Sequence, residues 1–161
     1  MSRSWLLLVS LLVGTLAEYD PDDYADYPLI WSAGEGDGEA VEMLLMEGVG
    51  VMDRSKDGET ALHVAAIRGD LRTLRALLQA GAEVDARTPR GQTLFMTPTM
   101  WAVYHGHVEF VETLLKAGAD PTAADENGKT LLTMCQETGS HAMEKLVRDA
   151  IQRAESSGSK Q

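Results

Sequence analysis

The chain has 161 residues and carries 14 basic against 25 acidic groups, a formal charge of −11. That length suits one domain with a buried core, and the charge argues against nucleic-acid phosphates or anionic membrane surfaces as partners. The lone cysteine, Cys135, excludes an internal disulfide and any paired-cysteine metal site.

In chain order, Arg3 comes first and precedes an uncharged apolar run from Trp5 to Ala17. The run is too short to cross a ~30 Å hydrocarbon core, which takes about 20 residues. Thr15-Leu16-Ala17 puts small residues where a signal peptidase reads the chain. These features predict a signal peptide over 1–17, cleaved after Ala17, with an uncleaved anchor as the alternative. Either form enters the secretory route, and the product is expected to be secreted or lumenal, free of the membrane after cleavage. Cleavage would remove one arginine and no acid, leaving 13 against 25, or −12. Residues 18–27 are acidic and tyrosine-rich, which predicts a flexible arm.

A repeat follows. Gly36, Gly69, Gly106 and Gly139 are separated by 33, 37 and 33 residues, and the same steps separate Tyr27, Thr60, Thr97 and Thr130. Self-similarity at this period marks a stack of helical units, none of which can bury its apolar face alone. Thr60 and Thr130 are suited to N-cap a first helix. Ala65-Ala66 lets two helices approach closely, and Gly69 and Gly106 permit a tight reversal at positive φ. Leu71, Leu74, Leu77 and Leu78 form one face of a second helix. Gly81 and Gly118 end that helix before a projecting turn that carries Gly58, Gly91 or Gly128. Boundaries fall near 24–53, 54–86, 87–120 and 121–151, within a domain spanning 28–155 and followed by a disordered tail at 156–161.

The second copy reads Asp57-Gly58-Glu59-Thr60-Ala61-Leu62-His63-Val64-Ala65-Ala66-Ile67-Arg68-Gly69, then Leu77-Leu78 and Gly81-Ala82-Glu83. The third reads Thr97-Pro98, Trp101-Ala102, Gly106-His107, Leu114-Leu115 and Gly118-Ala119-Asp120. This resembles the ankyrin repeat, with its Gly-x-Thr-Pro-Leu-His-x-Ala-Ala, Gly-His and Gly-Ala-Asp pattern. The resemblance implies an all-α ankyrin-repeat solenoid of helix-turn-helix units with projecting β-like hairpin loops. The first copy lacks the threonine and reads as the N-terminal cap. The fourth puts Glu144, Arg148 and Gln136 where the second has Leu74, Leu78 and Ala66, and reads as a solvent-facing C-terminal cap.

No catalytic constellation stands out, and no enzyme activity, cofactor or metal is expected. His63 and His107 occupy the places where the ankyrin pattern itself carries histidine. His105-x-His107-x-Glu109 lacks a further ligand, such as cysteine, to complete a closed metal site. Cys135 takes the small-residue place of Ala65 and Ala102.

The resemblance places partner contacts on the loop tips and on the exposed side of the first helices, which together form a concave face. Carried over residue by residue, these positions are Arg54, Lys56, Ile67 and Arg68 in the second repeat and Arg87, Pro89, Arg90, Tyr104 and His105 in the third. Five basic groups on adjoining repeats make a basic groove in an acidic chain. Its arginines are suited to bidentate pairing with the carboxylates of an acidic segment, and the opposing reading is of solvated loop charges. The 37-residue step marks four extra residues within 92–97. There Leu94, Phe95 and Met96 must fold onto the stack or meet a partner, and the partner is the preferred reading. The expected function is a non-catalytic protein-binding module, an adaptor, scaffold or inhibitor that is monomeric. Self-association through the insertion and the methionine-rich first repeat (Met43, Met46, Met52) is one alternative, and a non-catalytic enzyme subunit is another.

Overall fold

The computed structural model describes residues 26–90 and 94–158. The signal-peptide segment, residues 18–25 of the arm, Gly91 to Thr93 of the insertion and the last three residues lie outside the described residues.

Four helical pairs follow one another. They are α1 (Pro28–Glu35) with α2 (Gly38–Met46), α3 (Ala61–Arg68) with α4 (Leu71–Gln79), α5 (Pro98–Tyr104) with α6 (Val108–Lys116), and α7 (Leu131–Thr138) with α8 (His141–Gly158). Each first helix packs on its own second helix and on the next first helix, and the second helices form a parallel row behind. Among the described residues there is no β-strand, only an isolated antiparallel bridge between Ala124 and Thr130.

The repeated residues account for this arrangement. Thr97 and Thr130 accept from the amides of Met100 and Thr133, both at 3.3 Å, and so cap α5 and α7. Asp70 caps α4 by accepting from Arg72 and Thr73. Tyr27 makes no such side-chain bond, but Pro28 presets the first turn of α1. Gly69 turns the chain at φ 72°, and a Cβ there would also collide with the His107 ring. The positive φ favours glycine at each reversal, and at Gly69 the ring contact adds to it.

The core runs the length of the stack through Leu29, Leu62, Leu74, Leu77, Met100, Phe110, Leu114, Leu131 and Met143. Cys135 is buried in it, and burial pushes its thiol up to about 11. At the C-terminal end Met143 and Val147 face inward. Glu144 and Arg148, which stand where the second repeat has the buried Leu74 and the half-buried Leu78, pair with each other at 2.7 Å. The last helix continues past Glu155 to Gly158, correcting the expected tail. In its final turns the Arg153 and Ser156 side chains donate to the carbonyls of Asp149 and Arg153.

Candidate protein-interaction surface

The projecting loops share one closing bond. Ser55 donates its amide to the Glu59 carbonyl (2.9 Å), Thr88 to Met96 (3.1 Å) and Asp125 to Lys129 (3.0 Å). The extra residues of the third loop therefore lie between Thr88 and Met96, and its neck is unaltered. Met96 takes the register of Glu59 and is buried, 7% exposed. Its amide donates to Thr88 Oγ1 at 3.0 Å. Its carbonyl accepts from His63 Nε2 at 3.2 Å. Expected as a partner contact, Met96 is instead interior, because it stands just before the cap of α5, where an apolar side chain packs back on the helix.

Leu94 and Phe95 are the non-glycine residues with positive φ among those described, at 60° and 58°. Each left-handed residue costs roughly 1–2 kcal/mol relative to right-handed backbone. The Leu94 carbonyl accepts from the Glu126 amide at 3.0 Å, which ties the tip to the fourth loop. Leu94 is 45% exposed and Phe95 partly buried. The guanidinium carbons of Arg87 and Arg90 lie 4.6 and 4.7 Å from the Phe95 ring centroid.

Within the stack, Arg54, Arg68 and Arg87 bond to backbone carbonyls. Arg54 Nη1 donates to the carbonyls of Gly58 (2.8 Å) and Arg87 (2.9 Å). Arg87 Nη1 donates to those of Phe95 (3.2 Å) and Ala124 (2.7 Å). Residues 54, 87 and 124 are successive copies of one position, so the guanidiniums form a ladder from repeat to repeat. Arg68 Nη2 reaches back to the Glu35 carbonyl at 2.6 Å and satisfies the end of α1. Pro89 lies against Gly58, which has no room for a Cβ. Lys56 and Arg90 are exposed. No carboxylate pairs with Arg54, Arg87 or Arg90 among the described residues.

On the first-helix face Tyr104 is 51% exposed, and Ile67 and His105 are partly buried. His105 stacks between Trp101 (6.0 Å) and His107 (6.3 Å), with Tyr104 edge-on at 5.4 Å. Burial, with the neighbouring His107 charge, holds His105 below the usual histidine range. Its Nε2 and the Trp101 Nε1 are buried without a hydrogen-bond partner. Trp101 is absent from the sequence-derived contacts. It shares a column with Val64 and Met134, and an aromatic in that column was the signal that could have found it. His107 Nε2 bonds the Ile67 carbonyl at 2.8 Å, joining the second and third repeats.

His63 has a supporting role. Its Nδ1 accepts from the Thr60 amide (3.2 Å) and pairs with the Thr60 hydroxyl (2.9 Å). This network assigns the proton to Nε2, facing Met96. Burial depresses the ring pKa to about 4. No group of three His, Cys, Asp or Glu side chains suited to a metal ion occurs among the described residues. No helix there is long and apolar enough to cross a membrane.

Comparison with known families matches residues 6–88 to ankyrin repeats (three copies) and 95–126 to a further ankyrin repeat. The chain is an ankyrin-repeat protein. The first match begins inside the apolar N-terminal run. Similar proteins include serine/threonine-protein kinase 12 of Arabidopsis thaliana, 33% identical over 52% of this chain and 17% of the relative. The ankyrin repeat and KH domain-containing protein mask-1 of Caenorhabditis elegans is 40% identical over 54% of this chain and 3% of its own length. Palmitoyltransferase ZDHHC17 of Rattus norvegicus is 31% identical over 56% and 14%. The ankyrin-repeat chain thus spans a minor part of each, and ankyrin repeats generally serve protein–protein interaction.

Proposed function

We propose that this ankyrin-repeat protein is a non-catalytic binding module, an adaptor, scaffold or inhibitor, that engages another protein through the concave face of its stack. The observation that carries this reading is the half-exposed Tyr104 at the edge of the Trp101–His105–His107 pile. A rigid aromatic beside desolvated neighbours is the usual composition of a binding hot spot. The matches to the kinase and the palmitoyltransferase cover only 17% and 14% of those proteins, which gives no support to either activity in this chain. The test is recovery of partners by the tagged chain from its native source, scored against Tyr104→Ala. A protein recovered by the wild type and lost with a folded Tyr104→Ala chain supports the reading, whereas equal recovery refutes it.

A second reading is self-association, favoured by Met43 (51% exposed) and Met46 (80% exposed) on α2. Light scattering after size exclusion separates it from a monomeric module. The secretory route is also a proposal, supported by the apolar run behind Arg3. N-terminal sequencing of protein recovered from the medium should begin at Glu18, and material that stays in the cytosol with Met1 intact would overturn it.

A further inference from the structure

We propose that the first repeat is a site of methionine oxidation, where hydrogen peroxide converts Met43, Met46 and Met52 to sulfoxides while the core methionines are spared, and that the oxygen on Met52 loosens the joint between the first and second repeats.

The joint is tied through sulfur. Met52 Sδ accepts from the Glu83 amide at 3.3 Å. Between the second and third repeats, Asp85 Oδ2 accepts from the Asp120 amide at 2.9 Å. Asp85 stands 33 residues after Met52 and Asp120 stands 37 after Glu83, the two steps of the repeat. The same position therefore takes the amide of the following repeat in both places, and a thioether fills at the first joint the role that a carboxylate fills at the second. Sulfur is the weaker acceptor and the one that can take up oxygen. A stacked unit is held by its nearest neighbours, so the loss of a tie acts on that joint directly.

Access divides the methionines sharply. Met46 is 80% exposed and Met43 51% exposed, both on α2, and Met52 is half-buried. Met96, Met100, Met134 and Met143 are all buried in the core of the third and fourth repeats. In the reaction a sulfur lone pair attacks one oxygen of hydrogen peroxide, and the S–O bond forms as the O–O bond breaks. The departing hydroxide takes the proton from the transferred oxygen and leaves as water, so sulfur loses the two electrons that peroxide gains. Oxygen withdraws density from sulfur, which stops accepting from the amide. The Met52–Glu83 contact also leaves no room for an intervening atom, so the sulfoxide has to turn away from the joint.

The full chain is treated with hydrogen peroxide, quenched over time and mapped by peptide mass spectrometry, with amide hydrogen exchange at Glu83 followed by NMR. Met46 and Met43 should oxidise first and Met52 after them, with Met46 at least about tenfold faster than Met100 or Met143 in the folded chain. Protection of the Glu83 amide should fall as Met52 sulfoxide accumulates. Met52→Leu keeps the bulk but not the acceptor, so its Glu83 amide should exchange as fast as in the oxidised wild type and show no further response to peroxide. The double variant Met43→Leu, Met46→Leu should keep the wild-type response at Glu83. Oxidation of the core methionines as fast as Met46, undiminished Glu83 protection once Met52 is oxidised, or a peroxide response that persists in Met52→Leu overturns the proposal.

Discussion

Acid should weaken this stack through His63 before it titrates most carboxylates. The ring is fully buried, and its neutral form satisfies Thr60 on one nitrogen and the Met96 carbonyl on the other. Burial depresses its pKa to about 4, whereas in the unfolded chain it titrates near 6.5. The folded value lies below the unfolded one, so the unfolded chain binds the proton first. Stability from the neutral ring is therefore whole above about pH 6.5 and falls as pH drops toward about 4. Linkage gives a loss of about 2 kcal/mol between about pH 7.5 and about pH 5, approaching about 3 kcal/mol below about pH 4. The assay is urea unfolding at both pH values for the wild type and His63→Gln. Glutamine retains an acceptor and a donor but does not titrate, so the difference between the two chains cancels the carboxylates and the other histidines. Expected is a variant less stable than the wild type at neutral pH, with that gap narrowing by about 2 kcal/mol on acidification. Parallel losses in the two chains would refute the assignment of a buried neutral ring.

Further outcomes follow from packing. Arg87→Met keeps the stem but strips the donor from the Phe95 and Ala124 carbonyls, and urea unfolding should register a loss of about 1–3 kcal/mol. Gly69→Ala meets both the positive φ and the His107 ring, so its cost should exceed the about 1 kcal/mol typical of a strained turn and should lower the thermal midpoint. Cys135, buried with its thiol pushed up to about 11, should resist iodoacetamide at mildly alkaline pH until urea unfolds the chain. Rapid alkylation of the folded protein would contradict that burial.

Much of the architecture was legible because the repeat places rigid demands on single residues. Gly36, Gly69 and Gly139 all sit at left-handed helix ends, and only glycine fits the reversal without cost, so the period survives in the sequence. The threonine caps are legible for the same reason. The insertion was visible as a four-residue excess over the repeat step. Its interior residue was not, because composition marks Leu94, Phe95 and Met96 as equally apolar. What singles out Met96 is a pairing with Thr88 and a bond from His63, which stands 33 residues away. Arginine charge was legible, whereas its acceptors were not. A backbone carbonyl leaves no trace in side-chain identity, so Arg54, Arg68 and Arg87 looked available for carboxylates although each is engaged within the stack.

The guanidinium ladder also sets rules for rearranging the molecule. Arg54 reaches forward to residue 87 and Arg87 to residue 124, where alanine ends the series. A tandem copy of the third repeat, placed before the fourth, would present a carbonyl to the unit on one side and a guanidinium to the unit on the other. A tandem copy of the fourth would offer the carbonyl alone and leave its own neighbour untied. The chain should therefore tolerate lengthening from its interior and resist it at its C-terminal end, which gives an otherwise quasi-repetitive stack a defined direction of growth.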